Sequence, residues 1–225
     1  MKISLLAVLF LVATVSANAQ RAEKKSRISD STQLVYSTPD GQIKDGAYYI
    51  QNTKNNNVLV QGNYKNDVRV GNWYFFSGEN KLVLRYNYDQ KKVAYIDNSM
   101  FNTVGVEIPN VEEEVAKNAS APVPLCAIDY YTSLLSSEVY NFNKGNSLKL
   151  EITAHVAIDG KATYYIAYVD NSKKTAPKEM KLKGDKFAID WIPAMYNNQP
   201  IYSEFTVYAT LLEEGSGQRR FRWHD

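Results

Sequence analysis

Two short stretches decide the fold: residues 46–50 read Gly-Ala-Tyr-Tyr-Ile, and residues 71–75 read Gly-Asn-Trp-Tyr-Phe. They match at an offset of 25 residues. A second match follows at an offset of 24, between residues 60–64 (Val-x-Gly-x-Tyr) and residues 84–88 (Leu-x-Tyr-x-Tyr). Short aromatic segments separated by Gly, Asn and Asp are typical of β-hairpins. The pattern predicts two copies of a hairpin unit of about 24 residues, whose neighbours stack to share a core.

The strands of these units alternate between apolar and polar positions. Val58, Val60 and Tyr64 fall on one face of a strand, with Gly62 between them. In the second copy, one face carries Leu82, Leu84, Tyr86 and Tyr88, and the other carries Lys81, Arg85 and Asn87. A period of two places successive side chains on opposite sides of a strand, so we expect one face to form the core and the other to meet water.

The run at residues 62–75, Gly-Asn-Tyr-Lys-Asn-Asp-x-x-x-Gly-Asn-Trp-Tyr-Phe, resembles the bacterial MORN-type repeat, and the resemblance covers residues 41–96. Asp67 occupies the position of the family's turn glycine, and Val70 precedes Gly71 where a polar residue is common. The resemblance implies a sheet of stacked hairpins used for structure or binding. It carries over no catalytic residue.

The N-terminus predicts export. Lys2 precedes an apolar run at residues 3–15, and Ala17-Asn18-Ala19 offers small residues at the positions that a signal peptidase reads. The run of 13 residues is shorter than the roughly 20 that cross a bilayer comfortably. We therefore expect residues 1–19 to be a cleaved signal peptide, with an uncleaved membrane anchor as the alternative. The mature chain would then be periplasmic or extracellular, without an integral membrane span.

The rest of the chain divides by composition. Residues 20–40 are polar and charged, which predicts a flexible lead-in. Residues 41–106 form the MORN-like hairpin domain, and residues 107–124, rich in Glu and Pro, form a linker. Residues 125–213 form a second domain, and residues 214–225 a tail. The fold class predicted is mainly β, with an α+β C-terminal domain.

The second domain combines one helix with three long strands. Apolar residues between Ile128 and Val139 recur at three- and four-residue spacing, which predicts a short amphipathic helix. Residues 148–169 alternate strictly around Asp159-Gly160, which predicts a long hairpin. A third strand is predicted at residues 201–212. One helix followed by three strands is an α+β arrangement.

This half resembles a TonB-type C-terminal domain. The matching residues lie in the first hairpin, around the central tryptophan and in the closing strand: Val156-x-x-Asp159-Gly160, Trp191-x-Pro193-Ala194, Asn198-x-Pro200 and Phe205-x-Val207. The resemblance makes Ile201–Leu212 the candidate edge strand for peptide addition. Lys173–Lys186 departs from the family, which has an amphipathic helix there. The expected loss of the N-terminal anchor argues against carrying over energy coupling.

The sequence offers little for catalysis, metals or cofactors. The chain has one cysteine, Cys126, and two histidines, His155 and His224, without the spacing of a metal site. A Cys126–His155 nucleophilic pair is conceivable, but the apolar neighbours of Cys126 favour a small hydrophobic residue of the core. A formal net charge of +2 gives no reason to expect nucleic acid. The sequence therefore predicts a protein that is not an enzyme and uses no cofactor.

Aromatic residues on the strands carry the functional hypothesis. We expect some of them to be exposed, because they exceed what two hairpins can bury; the candidate binding residues are Tyr48, Trp73, Tyr74, Phe76 and Tyr86. One hypothesis is a binding module for an envelope protein or a cell-wall component. The alternative is a carbohydrate-binding module that stacks sugars on these rings. A third interpretation is that the aromatics only cover the junction with the C-terminal domain.

Overall fold

The computed structural model describes residues 22–29, 31–131, 134, 148–170, 173–180, 189–213 and 219–223. Seven strands form an N-terminal sheet in which each pairs antiparallel with the next: β1 Ala22–Arg27, β2 Thr32–Thr38, β3 Gly46–Asn52, β4 Val58–Lys65, β5 Val68–Phe76, β6 Leu82–Asn87 and β7 Lys92–Ile96. The mainly β fold class is confirmed. The predicted signal peptide lies outside the described residues.

The flexible lead-in expected at residues 20–40 is wrong for residues 22–27 and 32–38, which form β1 and β2. Leu34 and Tyr36 of β2 are buried in the core, and β2 pairs with β3 from Thr32 to Tyr36. The polar composition of this segment concealed an apolar face of only a few residues. An existing sheet edge stabilises such a segment by backbone pairing, which composition does not report.

The sequence repeat has a counterpart in the backbone. The hairpins β3–β4 and β5–β6 share a positive φ at their first glycine, 111° at Gly46 and 64° at Gly71. They also share a positive φ in the turn between their two strands, 59° at Asn56 and 64° at Asn80. Each hairpin also has a register shift at the start of its second strand. The two predicted hairpin units are therefore structurally equivalent.

Asp67 replaces the turn glycine of the repeat without preventing the turn. Asn66 and Asp67 both adopt positive φ, 51° and 62°, as a two-residue hairpin of the primed type requires. Asn and Asp tolerate this region better than other residues with a β-carbon. The Asp67 carboxylate also accepts a hydrogen bond from the backbone N–H of Lys44 at 2.8 Å, which ties the turn to the previous one.

Short elements connect the two halves: a 3₁₀ helix at Asn98–Phe101, β8 at Val104–Glu107, α1 at Glu113–Asn118 and β9 at Val123–Pro124. The segment predicted as a linker, residues 107–124, thus contains a one-and-a-half-turn helix and a short strand. No residue of α1 is buried. This exposure agrees with the polar composition from which the linker was predicted.

The remaining strands are β10 Leu148–Val156, β11 Ala162–Asp170, β12 Lys173–Lys174, β13 Lys178–Met180, β14 Trp191–Ile192, β15 Ala194–Tyr196, β16 Gln199–Ile201, β17 Ser203–Glu213 and β18 Arg219–Trp223. The C-terminal sheet runs β12–β11–β10–β17–β18, with β13 also on β11 and β8 also on β17. The two further pairs are β14 with β9 and β15 with β16.

Two expectations about this half are corrected. The strand at Ile201–Leu212 is not an edge, because β17 pairs with β10 on one side and with β8 and β18 on the other. The tail expected at residues 214–225 contributes β18 at residues 219–223. Sequence alternation predicts that a strand has one buried face, but it does not reveal which distant segments occupy its edges.

The long hairpin at residues 148–169 is confirmed as β10 and β11. Its turn closes with the Gly160 N–H donating to the Ala157 carbonyl at 2.9 Å. Gly160 has φ 79°, and an added β-carbon would lie 2.7 Å from the Trp191 carbonyl oxygen. Of the predicted helix, residues 128–131 are helical, and most of the remainder to Val139 lies outside the described residues.

The N-terminal and C-terminal sheets pack against one shared core. A continuous cluster of buried side chains joins Trp73 and Phe75 of the N-terminal sheet to Tyr131, Ile152 and Phe205 in the C-terminal half. Phe205 lies edge-on to both Tyr131 and Trp191, with ring centroids 6.3 and 5.2 Å apart. Within the described residues no helix is both long and apolar enough to cross a bilayer.

Candidate binding surface

The aromatic pair of each repeat is divided between the two faces of the N-terminal sheet. Tyr48 and Trp73, the first members, point into the core and are 1% and 0% exposed. Tyr49 and Tyr74, the second members, lie on the opposite face because adjacent residues of a strand alternate in direction. Both are half-buried. We call these two sides the inner face and the outer face.

The inner face carries a compact aromatic cluster. The Trp73 ring centroid lies 5.2 Å from Tyr48, 5.3 Å from Tyr64 and 5.5 Å from Tyr88. The indole covers Gly62, where an added β-carbon would lie 2.3 Å from Cδ2 of the ring. A glycine is therefore needed at position 62 for Trp73 to occupy this position.

Arg69 links the aromatic cluster to the C-terminal half. Its guanidinium lies 4.6 Å from the Trp73 ring centroid, a cation–π distance, and its Nε donates to the Tyr64 hydroxyl at 3.1 Å. Its Nη1 donates to the Tyr88 hydroxyl at 2.6 Å and pairs with Asp190 Oδ2 at 2.7 Å. Tyr88 in turn donates to Asp190 at 2.7 Å. Burial raises the pKa of Tyr88, which keeps this donor protonated.

The five candidate residues separate into two groups. Tyr48, Trp73 and Tyr86 belong to the inner face, where Tyr86 is half-buried and lies edge-on to Tyr88 at 4.9 Å. The expectation that these aromatics are exposed is wrong for Tyr48 and Trp73, because the core shared with the C-terminal half covers them. Tyr74 and Phe76 lie on the outer face and are half-buried. For the inner group, the aromatics do cover the junction between the halves.

The outer face carries a row of directly opposed residues, one from each strand of the N-terminal sheet. In strand order the row is Lys25, Val35, Tyr49, Gln61, Tyr74, Arg85 and Tyr95. Three tyrosines thus alternate with two polar side chains. Since adjacent strands lie about 4.8 Å apart, consecutive tyrosines are roughly 10 Å apart. We call Tyr49, Gln61, Tyr74, Arg85 and Tyr95 the outer row.

The outer row is accessible and its rings are not stacked on other described aromatics. Tyr95 is 41% exposed and Gln61 is exposed, whereas Val35, beyond the row's first tyrosine, is 1% exposed. Burial and the nearby Glu23 carboxylate raise the pKa of Tyr49, so this hydroxyl stays protonated. The row therefore presents aromatic rings and an amide to solvent, with the half-buried Arg85 opposite Tyr74 and Tyr95.

Sequence reasoning missed Tyr49, Tyr95 and Arg85. A signal existed for Tyr49, because it holds the same repeat position as Tyr74. Tyr95 had no such signal: β7 is not a copy of β3 or β5, and a register shift lies beside this residue in its pairing with β6. Arg85 was assigned to the polar side of its strand, but its position between two tyrosines depends on strand pairing.

The residues considered for catalysis lie elsewhere. Cys126 is buried, and burial raises the pKa of its thiol well above the ordinary value. His155 lies on the far side of β10 from the buried Ala154 and Val156, with its Nε2 3.8 Å from Glu204 Oε1. Among the described residues, no three His, Cys, Asp or Glu side chains converge in a way that could hold a metal ion.

Comparison of the chain with protein-family models, with curated proteins and with solved structures finds no match in any of the three.

Proposed function

We propose that this protein is an exported, non-enzymatic binding module of the cell envelope, which attaches to another protein or to a cell-wall component through its outer row. The observation that carries the proposal is the unequal use of the repeat's aromatics. The fold uses Tyr48 and Trp73 for its core, whereas on the outer face Tyr49 and Tyr74 are half-buried and Tyr95 is exposed. Accessible aromatics concentrated on one face mark interaction sites more often than scattered ones do.

The experiment is a binding assay with two separated envelope fractions, insoluble cell wall and solubilised envelope proteins. We expect the mature chain to co-sediment with the wall or to retain one reproducible protein. The Tyr49→Ala/Tyr74→Ala/Tyr95→Ala variant should lose this binding. Tyr208→Ala, at a tyrosine of the C-terminal sheet that is 42% exposed, is the matched control and should keep it.

Two results would contradict the proposal: no binding to either fraction, or equal binding by the triple variant. The bound material should also keep its mass and composition during incubation, which a mass measurement checks. The N-terminus of the exported protein should start near Gln20 if residues 1–19 are removed. The same mass measurement reads that position.

A second candidate, a carbohydrate-binding module, is favoured by the regular spacing of the three tyrosines along the outer row. Sugar rings stack on aromatic faces, and a linear glycan lying across the strands would meet a tyrosine at every second strand. Titration calorimetry with a glycan panel tests this candidate. Tryptophan fluorescence is the poorer reporter, because Trp73 and Trp191 are 0% and 6% exposed.

The family resemblances belong to the same proposal. The equivalence of the β3–β4 and β5–β6 hairpins supports a MORN-type repeat at residues 41–96. The hairpin at Leu148–Asp170 followed by β17 supports a TonB-like α+β arrangement at residues 125–213. An experimental structure of the mature chain would test the first by the stacking of the two hairpins, and the second by the backbone path of residues 128–147.

A further inference from the structure

The outer row contains a cation, Arg85, that forms no ion pair with any other described residue. Arg85 is directly opposite Tyr74 on one side and Tyr95 on the other. Its Nε is shielded from solvent and has no acceptor in the part of the chain that the structure describes. Among the described residues, the Arg85 guanidinium therefore has hydrogen-bonding capacity that no acceptor uses.

The same face has an excess of positive charge. The strand residues that share the outer face include five basic side chains and one acidic one, namely Lys25, Arg27, Lys65, Arg85 and Lys92 against Glu23. Such an excess attracts an anionic partner and repels a cationic one. The inner face shows the opposite arrangement, because its guanidinium, that of Arg69, is paired with Asp190.

The neutral polar residues of the outer face favour a glycan over an anionic membrane. Gln61 is exposed between Tyr49 and Tyr74, and Asn63 and Asn72 are exposed beside the row on the same face. Asn87 donates to Asn72 at 3.0 Å. Side-chain amides are both donors and acceptors, which suits the hydroxyl groups of a sugar. Burying these amides against lipid acyl chains would cost free energy, because a polar group without a hydrogen-bond partner is destabilising there.

From this arrangement we propose that the outer row binds an acidic polysaccharide, with sugar rings stacked on Tyr49, Tyr74 and Tyr95 and a sugar carboxylate bound by Arg85. The inference rests on the carbohydrate-binding function proposed above and adds the chemical class of the ligand. The glycan lies across the strands, because the row runs perpendicular to them. A guanidinium binds a carboxylate through parallel N–H donors, which gives both affinity and orientation.

The test compares polygalacturonate with its methyl ester, which has the same backbone without the charge, by titration calorimetry on the mature chain. We expect the acid form to bind about tenfold more tightly than the ester, as one charge-assisted hydrogen-bond pair gives. Arg85→Gln should abolish this preference by weakening only the acid form. Tyr74→Ala should weaken both forms, and Tyr208→Ala neither.

Arg85→Lys separates charge from geometry. It should retain part of the preference for the acid, because the charge remains while the planar fork is lost. Thermal melting of each variant checks that the sheet is intact. Polyglutamate and phosphatidylglycerol vesicles are the competing ligands, and neither should displace polygalacturonate at comparable charge concentration.

Several outcomes would overturn the inference: equal affinity for acid and ester, a preference that survives Arg85→Gln, or displacement by polyglutamate or vesicles. If the ester binds as tightly as the acid, carbohydrate binding is still supported, and only the preference for an acidic polysaccharide is rejected. If no glycan binds while the envelope assay is positive, the inference and the carbohydrate candidate fail together. The broader envelope-binding function then stands.

Discussion

The inner and outer faces of the N-terminal sheet receive their aromatics from the same sequence pairs but use them differently. On the inner face, Trp73 contacts three tyrosines and a guanidinium and is completely buried. On the outer face Tyr74, the next residue, has Gln61 and Arg85 as its cross-strand neighbours and remains partly accessible. Strand periodicity thus places the two members of each pair on opposite faces, and the C-terminal half then buries the inner member.

The largest expected effect is that of Trp73→Ala, which removes the centre of the inner cluster. Truncating a buried tryptophan costs about 3–5 kcal/mol, because both apolar burial and packing contacts are lost. Denaturant unfolding of the mature chain measures it. Tyr74→Ala, the neighbour on the outer face, should cost less than about 1 kcal/mol. Similar losses of unfolding free energy at both positions would mean that the inner and outer faces contribute equally to stability.

Gly62→Ala should have the next largest effect, about 1–3 kcal/mol, since its β-carbon would collide with the Trp73 indole and force the ring to move. Near-ultraviolet circular dichroism should show the displaced tryptophan. Asn63→Ala, one residue further and on the outer face, is the control and should leave that signal unchanged. An unaltered Gly62→Ala protein would show that the inner cluster tolerates a shift of Trp73.

Arg69→Met should cost about 1–2 kcal/mol by removing the hydrogen bonds to Tyr64, Tyr88 and Asp190. The loss is moderated because the Asp190 side chain is 43% exposed and can be hydrated. Tyr88→Phe in the same background should then add little, since both residues belong to one network. Fully additive losses would contradict a shared network between the two halves.

The smallest effect concerns the ion pair between the exposed Lys81 and the half-buried Asp97, just after β7. Asp97 accepts hydrogen bonds from Lys81 at 2.6 Å and from the Ser99 N–H at 3.0 Å. These contacts lower the Asp97 pKa to about 2 from 3.8. Its contribution to stability is therefore complete above pH 3.8 and lost as the pH falls toward 2. Asp97→Asn should weaken the pH dependence of the free energy of unfolding between pH 3.8 and about 2. An unchanged pH dependence would contradict the lowered pKa of Asp97.

The sequence predicted those parts of the fold that depend on local chemistry. Turns at Asn66-Asp67 and Asp159-Gly160 follow from residues that tolerate positive φ, and the long hairpin follows from strict alternation. The strands β1 and β2 form by pairing with their neighbours along the chain, which polar composition does not report. The interior place of β17, in contrast, depends on pairing between distant segments. No local pattern encodes that pairing.

The candidate site divides in the same way. Repeat equivalence relates Tyr49 to Tyr74, so one outer tyrosine predicts the other. The burial of Tyr48 and Trp73 depends on the C-terminal half covering the inner face, which the hairpin pattern alone does not specify. Arg85 becomes a candidate only when strand register places it between Tyr74 and Tyr95.

The equivalence of the two hairpins has a consequence for how such a protein can evolve. Each copy of about 24 residues adds two strands and one outward tyrosine, so in-frame duplication would lengthen the platform in fixed increments of roughly 10 Å. The added strands would continue the meander without disturbing existing turns. Gene duplication could therefore change the length of ligand that the outer row contacts, while the chemistry of each contact stays the same.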